Sequence, residues 1–127
     1  MDRMIFVNLP VEDVTVSRSF YTGLGFSVNE QFSDDQVACI VVSETIFVML
    51  LEHNRFRDFT TNEIADARTT TEVLNALSAS SREEVDDLVA KAVVRKPVED
   101  DGMYGHSFAD PDGHVWEVFF MEVPDQA

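Results

Sequence analysis

Apolar residues in the first half of the chain form four short runs and one helical pattern. Asp13 has the position of a helix N-cap, because apolar residues recur at helical spacing between Val14 and Leu24 directly after it. The four runs have the length and turn boundaries of strands, at residues 4–9, 26–31, 37–43 and 46–52. The predicted order is therefore strand, helix, strand, strand, strand.

The second half of the chain repeats this order after an interval of about 68 residues, measured between the predicted helix caps Asp13 and Ser81. Ser81 and Glu84 have the spacing of a capping box in front of an apolar helix face. Strands are predicted at residues 71–78, 104–109 and 114–121, with a short piece at 93–94 and a polar turn at 99–102. The fold class is therefore α+β, with two βαβββ modules.

Two modules and a linker make up the predicted domain organisation. The first module covers residues 1–52 and the second residues 71–127, and we expect them to form one compact domain overall. Residues 53–70 are the linker, in which 62–67 could form a short helix.

The linker contains aromatic and arginine residues that are unusual for a connector in an acidic protein. We expect Phe56 and Phe59 to cover the edge of a core while Arg55 and Arg57 face solvent. The alternative is that this segment forms a lid over a pocket.

Charge and cysteine content narrow the function classes. The chain of 127 residues has 24 Asp and Glu against 9 Lys and Arg, a formal net charge of -15. Nucleic acid and anionic membranes are therefore not expected partners, since both need clustered basic residues. Cys39 is the one cysteine, and it lies in an apolar run. With no apolar stretch near the roughly 20 residues of a membrane span and no signal peptide, we expect a cytoplasmic protein.

The segment around Asp110-Pro111-Asp112-Gly113 is the most specific in the chain. It predicts a type I turn followed by a left-handed glycine, which is a hairpin with a G1 bulge. Side chains alternate along the strand that follows, and Glu117 falls on a face that is otherwise apolar. We expect this carboxylate to be buried, which would raise its pKa.

The hairpin register decides which residue faces Glu117. A G1 bulge places Ser107 opposite it, whereas a two-residue turn places His106 there, and the turn sequence favours Ser107. A proton-transfer pair of His106 and Glu117 is the less favoured alternative. His53 and His114 lie at strand ends and are expected to be solvated.

These motifs resemble the vicinal oxygen chelate superfamily, which includes glyoxalase I, bleomycin-resistance proteins and extradiol dioxygenases. Within it, the chain looks most like small bacterial proteins labelled predicted lactoylglutathione lyases. The resemblance implies cupped mixed sheets with helices on the outer face, a pocket in each cup, and a homodimer. It is carried by the Asp-Pro-Asp-Gly turn leading to Glu117, by Val11-Glu-Asp-Val and by Leu24-Gly-Phe.

The resemblance also implies a divalent metal held by four side chains in catalytic members. Glu117 matches one of these positions, but alignment places Phe6, Leu50 and either Val73 or Leu74 at the other three. One carboxylate and three apolar side chains cannot satisfy zinc or nickel, so no metal or other cofactor is expected. The alternative is one divalent metal ion.

A slip of two residues along each strand keeps the same sheet face and gives that alternative its ligands. The shifted positions hold Asn8, Glu52 and Asn75 beside Glu117. The fallback metal ligands are therefore Glu117, Glu52 and Asn8.

The favoured function is binding of a small molecule in the cup without a metal, in the manner of bleomycin-resistance proteins. The alternative is a lyase or isomerase of the lactoylglutathione lyase type, in which Glu117 acts as general base or metal ligand. A scaffold with filled cups and no ligand is the third possibility. Besides Glu117, the expected pocket residues are Phe6, Asn8, Val48, Leu50, Ser107 and Phe119.

Overall fold

The computed structural model describes residues 2–92, 94–100 and 103–121, and for residues 94–100 it describes the backbone alone. The chain divides into two compact units, Met1–Asp66 and Ala67–Ala127. The division falls inside the predicted linker. Each unit contains one four-stranded mixed sheet and a helix on one of its faces, which confirms the predicted α+β class with two modules.

The first unit has the strand order β1-β4-β3-β2, in which β1 and β4 are parallel and the other pairs antiparallel. The predicted helix at residues 62–67 does not form. The helical part of the linker lies earlier, in α2 and a following 3-10 turn at Arg57–Phe59. The elements are β1 (Ile5–Val11), α1 (Val14–Gly23), β2 (Ser27–Val28), β3 (Val37–Val41), β4 (Ile46–Glu52) and α2 (His53–Phe56).

Two strands of this unit differ in length from their predictions. β1 continues through Pro10 because it lies at the edge of the sheet, where a missing backbone N–H leaves no ladder bond unmade. β2 stops after two residues, and the chain then forms a 3-10 turn at Glu30–Phe32. The side chain of Asn29 begins this turn by accepting a hydrogen bond from the Gln31 N–H at 3.1 Å.

The core of the first unit lies between α1 and the sheet. Asp13 caps α1 as predicted, because its carboxylate accepts the Thr15 N–H at 2.9 Å. Tyr21 of α1 is fully buried, as are Ile40 of β3 and Val48 of β4. Cys39 is also buried, which raises the pKa of its thiol, so it packs as the sequence predicted.

The second unit has the equivalent order β5-β8-β7-β6, with β5 and β8 parallel. The predicted turn at 99–102 is replaced in part by strand, since β6 extends through Asp100, while residues 93, 101 and 102 lie outside the described residues. The elements are β5 (Leu74–Ser78), α3 (Arg82–Ala90), β6 (Val94–Asp100), β7 (Met103–Ala109) and β8 (Val115–Met121).

Helix α3 begins at a modified capping box. The hydroxyl of Ser81 accepts the Glu84 N–H at 3.1 Å, as predicted. The Glu84 carboxylate, however, accepts hydrogen bonds from the hydroxyl and the backbone N–H of Ser80, one residue before the cap. The hydrogen bond from the Ser80 hydroxyl is the largest cause that lowers the pKa of Glu84 below its ordinary value, and the hydrogen bond from the Ser80 backbone N–H is the second.

The hairpin between β7 and β8 has the predicted bulged register. Gly113 has a φ of 91°, and its N–H bonds to the Asp110 carbonyl oxygen at 3.0 Å. Ser107 pairs with Glu117, and His106 pairs with Val118. Among the described residues, none of the helices has both the length and the apolar character needed to cross a membrane.

Candidate functional site

One face of the first sheet is not covered by α1. Parallel pairing of β1 with β4 places Phe6 beside Phe47 and Asn8 beside Met49 on this face. The rings of Phe6 and Phe47 stack with their centroids 4.9 Å apart. We call this the open face of the first sheet.

A pocket of about 300 Å³ lies on this open face. Its floor comes from the middle strands of the sheet, and its walls come from the 3-10 turn after β2 and from α2 with the turn that follows it. The lining residues are Asn8, Val37, Met49 and Leu51 from the sheet, Gln31, Phe32, Ser33 and Asp34 from the first turn, and Arg55 and Phe59 from the linker.

Two aromatic rings line the pocket while staying accessible to solvent. Phe32 is 62% exposed and Phe59 is 65% exposed. The expectation that Phe59 covers a core edge is therefore wrong. The Arg55 guanidinium lies 4.6 Å from the centre of the Phe59 ring and bonds to Asp58 at 2.8 Å, so both partners hold it at the rim.

The polar groups of the pocket are held mainly by local hydrogen bonds. The Ser33 hydroxyl donates to the Asn29 carbonyl oxygen at 2.7 Å and accepts the Cys39 N–H at 3.0 Å. The amide nitrogen of Asn8 donates to the Phe6 carbonyl oxygen at 3.1 Å. One oxygen of Asp34 accepts the Gln36 N–H at 2.8 Å. The wall at residues 31–34 is therefore fixed before any ligand binds, which lowers the entropic cost of binding.

The structure corrects the predicted positions of Val48 and Leu50. Both are fully buried on the face that α1 covers, so neither lines the pocket. Their neighbours Met49 and Leu51 line it instead, because successive side chains of a strand point to opposite faces. Glu52 lies on the same covered face as Leu50, and its carboxylate accepts the Val14 N–H at 3.1 Å. It therefore satisfies the first turn of α1 and is not placed to bind a metal on the open face.

Glu117 lies on the face of the second sheet that points away from α3. Ala76 of β5 and Ser107 of β7 are its register partners. Glu117 is half-buried, and Leu74 on the same face is 59% exposed, so the expectation of an enclosed carboxylate is wrong. Phe119, also half-buried, continues this face along β8.

Taken one unit at a time, the residues do not fit the four-ligand metal site that the resemblance implies. In the first unit Phe6 has Phe47 beside it on the open face, and in the second unit Glu117 shares its face with Leu74. Asn75 lies on the opposite face from Glu117, because it pairs with Trp116. Within the described residues, no group of three or more His, Cys, Asp or Glu could hold a metal ion.

The turn that carried the resemblance has a structural role of its own. His114 is buried, contrary to expectation, and its Nδ1 lies 2.7 Å from the Glu72 carboxylate. One Asp110 oxygen accepts the N–H groups of Asp112 and His114 at 3.0 and 2.9 Å. Asp112 lies 3.7 Å from the Arg68 guanidinium. These contacts attach residues 68–72 to the hairpin within the second unit.

Of the remaining histidines, His106 is not placed for chemistry with Glu117, because the two side chains point to opposite faces of the second sheet. His53 is half-buried at the start of α2. His106 points to the α3 side of the second sheet, where its Nε2 lies 3.2 Å from the Tyr104 hydroxyl. The sequence contained a signal for this contact, since residues two apart on a strand share a face.

Comparison with known proteins places the chain among relatives of similar fold. Residues 3–43 match the family described as Bleomycin resistance protein-like N-terminal. The solved structure of a hypothetical protein, SA1046, from S. aureus is 31% identical, with 94% of each chain covered and a TM-score of 0.76. No curated protein matches the sequence.

Two further solved structures share the fold at lower identity. A glyoxalase/bleomycin resistance protein/dioxygenase family enzyme from Burkholderia phytofirmans is 18% identical, covers 95% of this chain and 100% of its own, and has a TM-score of 0.76. A bleomycin resistance determinant encoded on the transposon Tn5 is 16% identical, with coverages of 96% and 100% and a TM-score of 0.70. At these identities the similarity shows the fold alone.

Proposed function

Because this chain belongs to the vicinal oxygen chelate superfamily, the group of glyoxalase, bleomycin-resistance and dioxygenase proteins, we propose that it binds a small molecule in the pocket of its first unit. The observation that carries the proposal is the pocket itself. Its volume of about 300 Å³ is large enough for a small organic ligand, and it combines an apolar floor with a few polar groups at the rim.

The lining indicates a planar ligand that is neutral or cationic. Phe32 and Phe59 offer exposed ring faces on which a flat group can stack. Asp58 compensates the charge of Arg55, so this arginine is a weak attractant for anions. Asp34 at the rim and the net charge of -15 disfavour an anionic ligand further.

We propose that binding needs no metal and leaves the ligand chemically unchanged. The support is the donor chemistry, since the floor of the pocket consists of Val37, Met49 and Leu51. The lyase or isomerase alternative depends on Glu117, and among the described residues no metal-binding group of acids, histidines or cysteines includes it. Sequestration is therefore the function that this geometry supports best.

The experiment measures binding of acridine orange, a planar cationic dye, by fluorescence polarisation. We expect Phe59→Ala to weaken binding about fivefold or more, because a stacked ring contributes about 1 kcal/mol. Phe6→Ala is the matched control, since its ring is similarly exposed but lies outside the pocket.

The result that would contradict this proposal is an unchanged affinity in both variants, which would indicate general attraction of the dye to the acidic surface. The variant Glu117→Gln distinguishes binding in the pocket of the first unit from a function that depends on Glu117. An unchanged affinity for acridine orange in this variant supports binding in the pocket. A loss comparable to that of Phe59→Ala would instead favour a binding site centred on Glu117.

We also propose that the protein is a homodimer. The support is apolar exposure at the two sheet edges, where Ile5 of β1 is 56% exposed and Leu74 of β5 is 59% exposed. Light scattering should give the mass of two chains for the wild type and of one chain for Ile5→Lys. Val16→Lys, at an exposed position of α1, is the control and should keep the dimer. A monomeric wild type would contradict the proposal.

A further inference from the structure

Three side chains with metal-binding atoms meet on the α3 side of the second sheet. Tyr104 and His106 occupy alternate positions of β7, and Asp86 projects from α3. The Tyr104 hydroxyl lies 2.5 Å from Asp86 Oδ1, and His106 Nε2 lies 3.2 Å from that hydroxyl and 3.5 Å from the same carboxylate oxygen. One phenol oxygen, one imidazole nitrogen and one carboxylate oxygen therefore form a small triangle.

We propose that Asp86, Tyr104 and His106 form a binding site for a transition metal ion that takes mixed nitrogen and oxygen ligands, with Cu²⁺ the best-suited divalent ion. Ligand atoms about 2.0 to 2.1 Å from a metal lie about 3.0 to 3.4 Å from one another. The 3.2 Å distance falls in this range, and the distances of 2.5 Å and 3.5 Å need shifts of about 0.5 Å and about 0.1 Å to reach it. Among first-row divalent ions, Cu²⁺ binds nitrogen and oxygen ligands most tightly.

The cluster is accessible to an ion from solvent. The side chain of Asp86 is 55% exposed and that of His106 is 20% exposed. Three protein ligands leave further coordination positions for water at this surface. This site lies on the α3 side of the second sheet, and it is independent of the pocket proposed in the first unit.

The imidazole can present the required nitrogen. His106 Nδ1 is buried and has no hydrogen-bond partner among the described residues, whereas the Tyr104 hydroxyl oxygen accepts the Nε2–H while its own proton is donated to Asp86. The imidazole binds the ion after this proton moves from Nε2 to Nδ1, because the tautomer that carries its proton on Nδ1 leaves Nε2 free as a ligand. An imidazole nitrogen also gives the site its preference for copper over magnesium and calcium, which take oxygen ligands.

Binding exchanges one proton for one metal ion and involves no change of oxidation state. Without metal, the Tyr104 O–H donates to Asp86. When the ion binds, the phenol O–H bond breaks, the proton passes to solvent, and the phenolate oxygen bonds to the metal. The Arg82 guanidinium lies 5.0 Å from the centre of the Tyr104 ring, and the bound ion offsets the negative charges of the phenolate and of Asp86.

The test is a titration of the chelator-treated full chain with Cu²⁺, followed by visible absorption and competition with a chelator of known affinity. We expect one equivalent to produce a phenolate-to-copper charge-transfer band. Tyr104→Phe should remove the band and weaken binding about tenfold or more, and His106→Ala should weaken it by a similar factor. His53→Ala, at a half-buried histidine of the first unit, should change neither quantity.

Three outcomes would overturn this site. A wild type that binds copper without a charge-transfer band, or a Tyr104→Phe variant that keeps band and affinity, means that the phenol is not a ligand. An equal loss in His53→Ala means that copper binds the histidines without preference for this cluster. Should Tyr104→Phe fail to fold by circular dichroism, Asp86→Asn at the exposed carboxylate is the second variant, with the same expected loss of affinity.

Discussion

The two units have the same sheet topology but place their polar chemistry on opposite faces. In the first unit the pocket lies on the open face, and its helix-covered face is built mainly from apolar side chains. In the second unit Tyr104 and His106 point to the helix side, and Glu117 lies on the face that points away from α3. A repeated fold therefore does not imply a repeated site.

The length of one strand explains part of this difference. β2 has two residues, so the chain leaves the sheet early and its 3-10 turn at Glu30–Phe32 supplies one wall of the pocket. Its counterpart β6 has seven residues and stays paired with β7. A pocket forms where the chain crosses the open face.

The largest expected effect tests the hairpin that distinguishes the second unit. Gly113→Ala should lower the free energy of unfolding by about 4 kcal/mol, since a left-handed alanine and a steric clash each cost about 1 to 3 kcal/mol. A Cβ at Gly113 would stand 2.9 Å from the backbone of Ala67 and Arg68. Urea denaturation measures the loss.

Gly23→Ala is the matched control in the first unit, because a Cβ there meets no atom within 4 Å. Its stability should change by less than about 1 kcal/mol. Similar losses in the two glycine variants would contradict the close approach of residues 67–68 to the hairpin.

The next effect tests which face of β4 belongs to the core and which to the pocket. Leu50→Ala should cost about 3 kcal/mol of unfolding free energy, because it leaves a cavity beneath α1. Met49→Ala removes a half-buried side chain on the pocket face and should cost about 1 kcal/mol while weakening acridine orange binding. A larger loss of unfolding free energy in Met49→Ala than in Leu50→Ala would contradict the assignment of Leu50 to the core and Met49 to the pocket.

The prediction with the smallest expected change in unfolding free energy concerns the N-caps of helices α1 and α3. The lowered pKa of Glu84 means that its stabilisation is complete above its ordinary pKa of about 4.5 and is lost as pH falls through the lower folded-state value. Glu84→Gln should therefore cost about 0.5 kcal/mol at pH 7 and nothing measurable at pH 2.

The wild type and Glu84→Gln should be compared by urea denaturation at both pH values. Asp13→Ala, at the cap of α1, should cost about 1 kcal/mol at pH 7 and serves as the reference for an ordinary cap. A difference between wild type and Glu84→Gln that persists at pH 2 would contradict the part played by the Glu84 charge.

Local signals were sufficient for the elements and for the hairpin register. Asp13 and Ser81 begin the two helices as predicted, and the Asp-Pro-Asp-Gly turn places Ser107 opposite Glu117. These predictions succeed because caps and tight turns depend on residues within a few positions of each other. Between strands far apart in the chain, the same reasoning failed, since Leu50 was placed on the face of Phe6.

The candidate sites depended on contacts that sequence patterns do not contain. The wall formed by Arg55 and Phe59 follows from where the linker packs, and the burial of His114 follows from its contact with Glu72, 42 residues away. Of the residues predicted for the small-molecule site in the cup, Asn8 lies in this pocket. Its neighbours there come from three separate segments of the chain.

The amino-acid sequence by itself determined the repeated α+β modules, the helix caps and the bulged hairpin, because hydrophobic period and turn chemistry act over short distances. Only the tertiary structure decided which side of each strand faces a helix, since a shift of one residue between paired strands exchanges the two faces. That choice placed Met49 in the pocket and Leu50 in the core, and it brought Tyr104, His106 and Asp86 together.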